Sequence, residues 1–286
     1  MTIASLMIAG CCYIIAACHK PDIPRKKQCQ ITRIEDIYTP NPNPASTIGY
    51  LTDYAYTKKR LLDSLSVRPA LTAGTPVNVK ISYNSTGNPV DIKDNANRVH
   101  KLIYENGRVV RVDMLGTDNL FHPKYTFVYD SLGRIIDRMQ GSIVIRWEYQ
   151  GDSKNFIRRL HMADMNQDGK PEVFMSVEYQ YDDKVNPMTT WPNTTLVPFY
   201  FEVVENSAHE FEPIPENNWV YQRVRSLLHA SLLTFREYYY SYQYDDVYPV
   251  KYDLVLATHN PFLNRVDTTR GSTTFTYECK NNHVNF

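Results

Sequence analysis

Tyr125-Thr126-Phe127-Val128-Tyr129-Asp130-Ser131-Leu132-Gly133-Arg134-Ile135-Ile136 is the stretch whose reading decides the fold. An aromatic, β-branched run meets a short polar turn ending in glycine, and a second β-branched run leads away. Such runs suit a pleated, half-buried surface, and glycine supplies the positive φ that a tight hairpin needs. The reading is strand, turn, strand.

The unit recurs in looser form. Tyr83-Asn84-Ser85-Thr86-Gly87 and Tyr104-Glu105-Asn106-Gly107-Arg108 precede it, and Tyr149-Gln150-Gly151-Asp152 follows. Tyr179-Gln180-Tyr181-Asp182-Asp183 returns as Tyr242-Gln243-Tyr244-Asp245-Asp246. Turn-leading tyrosines 83, 104, 129 and 149 stand 21, 25 and 20 residues apart, the length of one hairpin with its turns. Self-similarity at that period marks a repeat architecture. Between the turns, Val77-Asn78-Val79-Lys80-Ile81-Ser82-Tyr83 alternates with period two, as do 99–104, 108–114, 143–149 and 173–181. The expectation is an all-β, mainly antiparallel hairpin-repeat meander, a curved sheet or partly open barrel. Trp219–Phe235 reads as a short helix or a strand, because Val220, Val224, Leu227 and Leu228 fall near helical spacing within β-branched and aromatic flanks.

Tyr-Asp-x-x-Gly-Arg-Ile is similar to the tyrosine-aspartate (YD) repeat of the RHS type. With its Tyr-x-Tyr-Asp-Asp and Asn-Pro variants, the chain resembles small Gram-negative envelope lipoproteins that carry degenerate YD-like repeats, a family of unknown function. The resemblance covers about residue 50 to the C-terminus, and 129–135 is its one full match. It implies an exported binding or structural protein. Large RHS proteins wind dozens of repeats into a closed toxin shell, and the few units here cannot build one.

The N-terminus fits that address. Residues 3–18 (IASLMIAGCCYIIAAC) are nearly all apolar, shorter than the ~20 residues of a spanning helix and suited to an export signal. Ile15-Ala16-Ala17-Cys18 resembles a lipobox, with Ile8-Ala9-Gly10-Cys11 as a weaker rival. Residues 1–17 are then a signal peptide, Cys18 carries the lipid, 18–45 form a tether and lead-in, and 46–286 are a single domain. The expected location is the outer membrane, on either face, with a glycan or envelope protein as partner. Cleavage before Cys18 leaves Cys29 and Cys279, an even pair for an oxidising compartment and a disulfide candidate. Balanced charge, 31 basic against 31 acidic residues, argues against a nucleic-acid surface.

Asp164-Met165-Asn166-Gln167-Asp168-Gly169-Lys170-Pro171-Glu172 is the best candidate for chemistry. Oxygen-bearing residues at positions 1, 3, 5 and 9, with glycine at 6, suit a hard cation, although Asp and Asn also favour plain turns. Met175 at position 12 rejects an EF-hand. The loop resembles the calcium hairpins of FG-GAP-type repeats, which implies a structural Ca²⁺ held by Asp164, Asn166, Asp168 and Glu172 with the Lys170 carbonyl. Twenty-two tyrosines suggest cross-strand packing with wet hydroxyls, or a sugar-stacking surface with Trp147, Trp191 or Trp219. No nucleophile elbow, zinc-protease motif or phosphate loop occurs. Asp182-Asp183 and Asp245-Asp246 would be the acids of a glycoside hydrolase, but adjacent strand residues face opposite ways and both pairs fall at expected turns. No catalytic residue is assigned.

Overall fold

Eighteen strands make up the structure, a computed structural model that describes residues 28–40, 46–190, 196–197, 212–227, 235–260 and 264–280. They are β1 (Gln28–Pro40), β2 (Ile48–Tyr56), β3 (Leu62–Pro69), β4 (Val77–Tyr83), β5 (Pro89–Asp94) and β6 (Val99–Glu105). Next come β7 (Arg108–Leu115), β8 (Phe121–Tyr129), β9 (Ile135–Gln140), β10 (Ile143–Tyr149), β11 (Phe156–Ala163) and β12 (Glu172–Val185). The chain ends with β13 (Leu196–Val197), β14 (Glu212–Pro213), β15 (Asn217–Ser226), β16 (Phe235–Asp245), β17 (Tyr248–Asn260) and β18 (Arg265–Lys280). β13 and β14 pair only with each other; the other sixteen form a closed antiparallel barrel in which β12 passes to β15 and β18 returns to β1.

Closure corrects the expectation of a sheet with free edges, and it removes the unpaired strand edges that invite aggregation. The lead-in segment is itself wall from Gln28 onward, since β1 pairs with both β2 and β18. Asn217–Ser226 is strand, so no helix begins at Trp219. The two walls meet at Cys29 and Cys279, register partners joined by a disulfide.

Each motif residue of the repeat has a physical task. Asp130 Oδ1 accepts the amides of Leu132 and Arg134, and its Oδ2 accepts Arg134 Nε at 2.7 Å. Gly133, at φ 80°, closes the turn back to the Asp130 carbonyl. The Arg134 guanidinium lies over the Tyr149 ring and donates to the Gly151 and Ser153 carbonyls, tying one turn to the next. Asp94-Asn95-Ala96-Asn97-Arg98 builds the same turn at the opposite end of the barrel, with Asn97 at φ 63° in place of glycine.

The tyrosines do more than pack. Tyr56, Tyr83, Tyr104, Tyr129 and Tyr149 each stand at or one residue before the end of the first strand of a hairpin, at a register shift, opposite Leu62, Pro89, Val109, Ile135 and Phe156. The next tyrosine in line donates its hydroxyl to the carbonyl of that opposite residue. Tyr83 bonds Leu62, Tyr104 bonds Pro89, Tyr129 bonds Val109, Tyr149 bonds Ile135 and Tyr181 bonds Phe156, at 2.5–2.8 Å. Tyr56 to Ile31 and Tyr277 to Pro249 continue the series across the seam. A bulge frees a carbonyl from its ladder, and a buried carbonyl needs a donor. The hydroxyls expected to be wet are therefore structural. Burial raises Tyr83 and Tyr129 to about 12, and raises Tyr104, Tyr149, Tyr181 and Tyr277 as well.

Inside and outside have opposite character. The interior is a packed core running from Leu62 in β3 to Tyr179 in β12, with Val112, Phe156 and Trp147 at 0–1% exposure. A round section of sixteen strands would be too wide for side chains to fill, so these burials require opposite walls to approach each other. Met188, in the 3₁₀ turn Pro187–Thr190, and Ile214 pack on the core from the tyrosine end. Outside, Glu148, Arg158, Glu178, Arg223 and Glu237 are successive register partners on β10, β11, β12, β15 and β16, a row of alternating charge. Arg33–Asp53 and Arg146–Asp137 add close pairs elsewhere on the wall. A membrane-spanning barrel has an apolar outer band and a polar lumen. Here charges stand on the outer wall, while the inside joins the apolar core to buried polar groups, among them Arg138, Arg159, His100 and His161.

Candidate functional site

The densest side-chain constellation on the outer wall lies on β15, β16 and β17. Register places Tyr221 opposite Tyr239, Arg223 opposite Glu237, and Phe235 opposite His259. Residues two apart on a strand share a face, so all six project together. Glu237 is the centre and is only 7% exposed. Its Oε1 accepts Tyr221 Oη at 2.7 Å and Arg223 Nε and Nη2 at 2.9 and 2.6 Å. Its Oε2 takes Tyr239 Oη at 3.1 Å and lies 2.9 Å from His259 Nε2. Burial pushes the carboxyl up, but the hydrogen bonds from Tyr221, Arg223 and Tyr239 outweigh it and hold Glu237 at about 2.

That balance limits the chemistry. A carboxylate with so low a pKa stays ionised at neutral pH and is a poor base. What remains is a fixed anion ringed by aromatic faces. Phe235 and His259 stack at 4.1 Å, the Arg223 guanidinium lies over the Tyr221 ring, and Tyr239 is 46% exposed. The arrangement can hold a ligand by ring faces and hydroxyls around a fixed carboxylate.

The residues singled out from sequence scatter over the barrel. Trp147 lies in the core at 1% exposure and Trp219 packs against that core beside Tyr179, so neither offers a stacking face; Trp191 lies outside the described residues. In the 164–172 loop, Asp164 accepts the amides of Asp168 and Gly169, and Asp168 accepts that of Lys170. Asn166 Nδ2 approaches Glu172 Oε1 at 3.1 Å. The loop's oxygens thus face its own backbone, the local turn bonding that Asp and Asn favour. Among the described residues no three His, Cys, Asp or Glu side chains gather as a metal site.

The hydrolase acids are taken up by local bonds or stand exposed in turns. Asp182 is engaged by Tyr244, by the Asn218 amide and by Lys184 N. The Asp183 side chain is 86% exposed beside Lys184, and Asp246 occupies a turn at φ 59°. Cys18 lies outside the described residues. The Glu237 cluster escaped the sequence reading, although the period-two patterns Tyr221-x-Arg223 and Phe235-x-Glu237-x-Tyr239 carried it. The helical reading of 219–235 cut across both.

No protein-family model and no curated protein matches this chain. Among solved structures it is similar to a porin-like protein from Bacteroides uniformis, at 14% identity and TM-score 0.55, over 87% of this chain and 98% of the other. A porin-like protein from Bacteroides vulgatus matches at 9% identity and TM-score 0.37 over 87% and 98%. The TcdB2-TccC3 structure matches at 13% identity and TM-score 0.34, over 77% of this chain and 12% of that one. The first likeness extends to the fold alone. Scores below 0.5 support nothing further.

Proposed function

We propose that the chain is an exported envelope protein, lipid-anchored at Cys18, whose barrel stands beside the outer membrane and serves in binding or support rather than catalysis. The alternating charges on the outer wall carry this reading, because charges at mid-bilayer depth are strongly disfavoured on a lipid-facing barrel wall. The apolar N-terminal segment ending at Cys18 supports an anchor in its place, as does the resemblance to small envelope lipoproteins. Ten residues from Cys18 to Gln28 reach at most ~35 Å, enough to hold the tyrosine end close to a bilayer. The ring-lined face around Glu237 is the binding surface of this proposal.

Growth with labelled palmitate tests the anchor. Label is expected in the wild type and at background in Cys18→Ala, with both proteins exported to the envelope. Equal labelling of the two would remove the anchor from the account.

A further inference from the structure

The packed core belongs to β3–β12, and the inner face of β16–β18, β1 and β2 has a different lining. Tyr242, Tyr252, Thr273 and Asp36 are successive register partners on β16, β17, β18 and β1, and Tyr50 lies opposite Asp36 on β2. Register partners share one face of a sheet. That face is the inner one, because Thr52 and Tyr54, two and four residues beyond Tyr50, stand opposite the core residues Val67 and Leu65. Core side chains are at most 7% exposed. The inward tyrosines here are packed less closely: Tyr38, Tyr50, Tyr54, Tyr240, Tyr242 and Tyr252 are each only half-buried. At Gly271 a Cβ would stand 2.8 Å from Tyr38 Cδ1, so the glycine lets that ring rest against the wall. Inward rings that keep accessible surface border an internal space.

We infer that this space is a binding site for a small protonated amine, held by the Asp36 carboxylate and Thr52 Oγ1 and enclosed by tyrosine rings. Asp36 is 4% exposed and accepts Thr273 Oγ1. A carboxylate out of water is most stable beside donors and a positive charge. Thr52 is 3% exposed, and its Oγ1 has no hydrogen-bond partner. Buried hydroxyls are nearly always bonded, so a donor in the space would complete this one. Thr52 lies diagonally across the β1–β2 ladder from Asp36, roughly 7 Å away, and one ammonium group between them can donate to both. The rings of Tyr240, Tyr242 and Tyr252 stand 5.2–6.4 Å apart and offer faces to the cation and to its methylenes. The charges acting most strongly on Tyr54, Tyr240, Tyr242 and Tyr252 are all acidic, Asp36, Asp182 and other tyrosines among them, a field that favours a cation over a neutral sugar. Among the described residues no three His, Cys, Asp or Glu gather there, so a metal ion fits less well. The site is inside the barrel and independent of the outer surface at Glu237.

Isothermal titration calorimetry of residues 28–286 with butylammonium at neutral pH is the test, and near-UV circular dichroism checks the fold of each variant. The wild type is expected to bind the amine in a saturable way and to bind n-butanol and methyl glucoside far more weakly. Asp36→Asn should weaken amine binding at least ~30-fold, as loss of one member of a buried charge pair does. Thr52→Val removes a hydroxyl that bonds nothing in the fold, so it should leave stability unchanged and weaken binding ~10-fold. It keeps the inference testable if Asp36→Asn misfolds. Asp53→Asn, on the outer face opposite Arg33, should leave the affinity unchanged. A wild type that shows no saturable binding, or binding that survives both inward substitutions, overturns the inference. So does equal affinity for n-butanol or methyl glucoside, which would make the occupant a neutral molecule.

Discussion

Raising the pH through 10–12 is expected to unfold the barrel in one steep step, with phenolate absorbance and loss of near-UV circular dichroism moving together. The hydroxyls that bridge the bulges are neutral donors, and burial holds Tyr83 and Tyr129 at about 12 against an ordinary value of 10.0. Tyr104, Tyr149, Tyr181 and Tyr277 are raised in the same direction. Above pH 10 the unfolded chain loses these protons while the folded chain keeps them, so stability falls as pH rises. Below pH 10 the contribution is fully present. Each tyrosine adds up to ~1.4 kcal/mol per pH unit, and six together reach ~8 kcal/mol per unit. A domain stable by roughly 5–15 kcal/mol does not survive that slope for long. Tyr129→Phe should lower stability at neutral pH by ~1 kcal/mol, because the Val109 carbonyl loses its donor. Ionisation of the full complement of 22 tyrosines near pH 10 while near-UV dichroism persists would contradict the structural role of the hydroxyls.

Removing the disulfide should have the next largest effect. Cys29 and Cys279 are 250 residues apart, and a link of that length takes ~5 kcal/mol of chain entropy from the unfolded state in the simple loop model. The bond sits where β1 meets β18, the pairing that turns a sheet into a barrel. Cys29→Ala with Cys279→Ala is therefore expected to lower the urea midpoint substantially, as should adding reductant to the wild type. Denaturation curves unchanged in both experiments would mean that the ladder closes the barrel unaided.

The hairpins were legible because their signals are local: a tyrosine, an Asp or Asn, a glycine and a period-two run lie within a dozen residues. Closure was not, since it pairs residues 28–40 with residues 269–280, and no local pattern reports that. The register shift between Ile31 and Arg33 also breaks the alternation that would have marked β1 as wall. The tyrosine partners were hidden for a different reason. Their acceptors are backbone carbonyls 14 to 28 residues away, and residue type does not encode them. Trp147 shows the limit of composition, because an indole suits a sugar platform and a core equally well and only burial decides. The Glu237 cluster depends on the register of three strands, which becomes visible only when β15 is read as strand.

The account rests on a barrel with a packed core and a charged outer wall, and detergent dependence tests it most directly. Residues 28–286, oxidised and purified without detergent, should remain dispersed in aqueous buffer, with sharp near-UV circular dichroism that added micelles leave unchanged. Protein that aggregates in buffer and gains that signal only when detergent is supplied would contradict it.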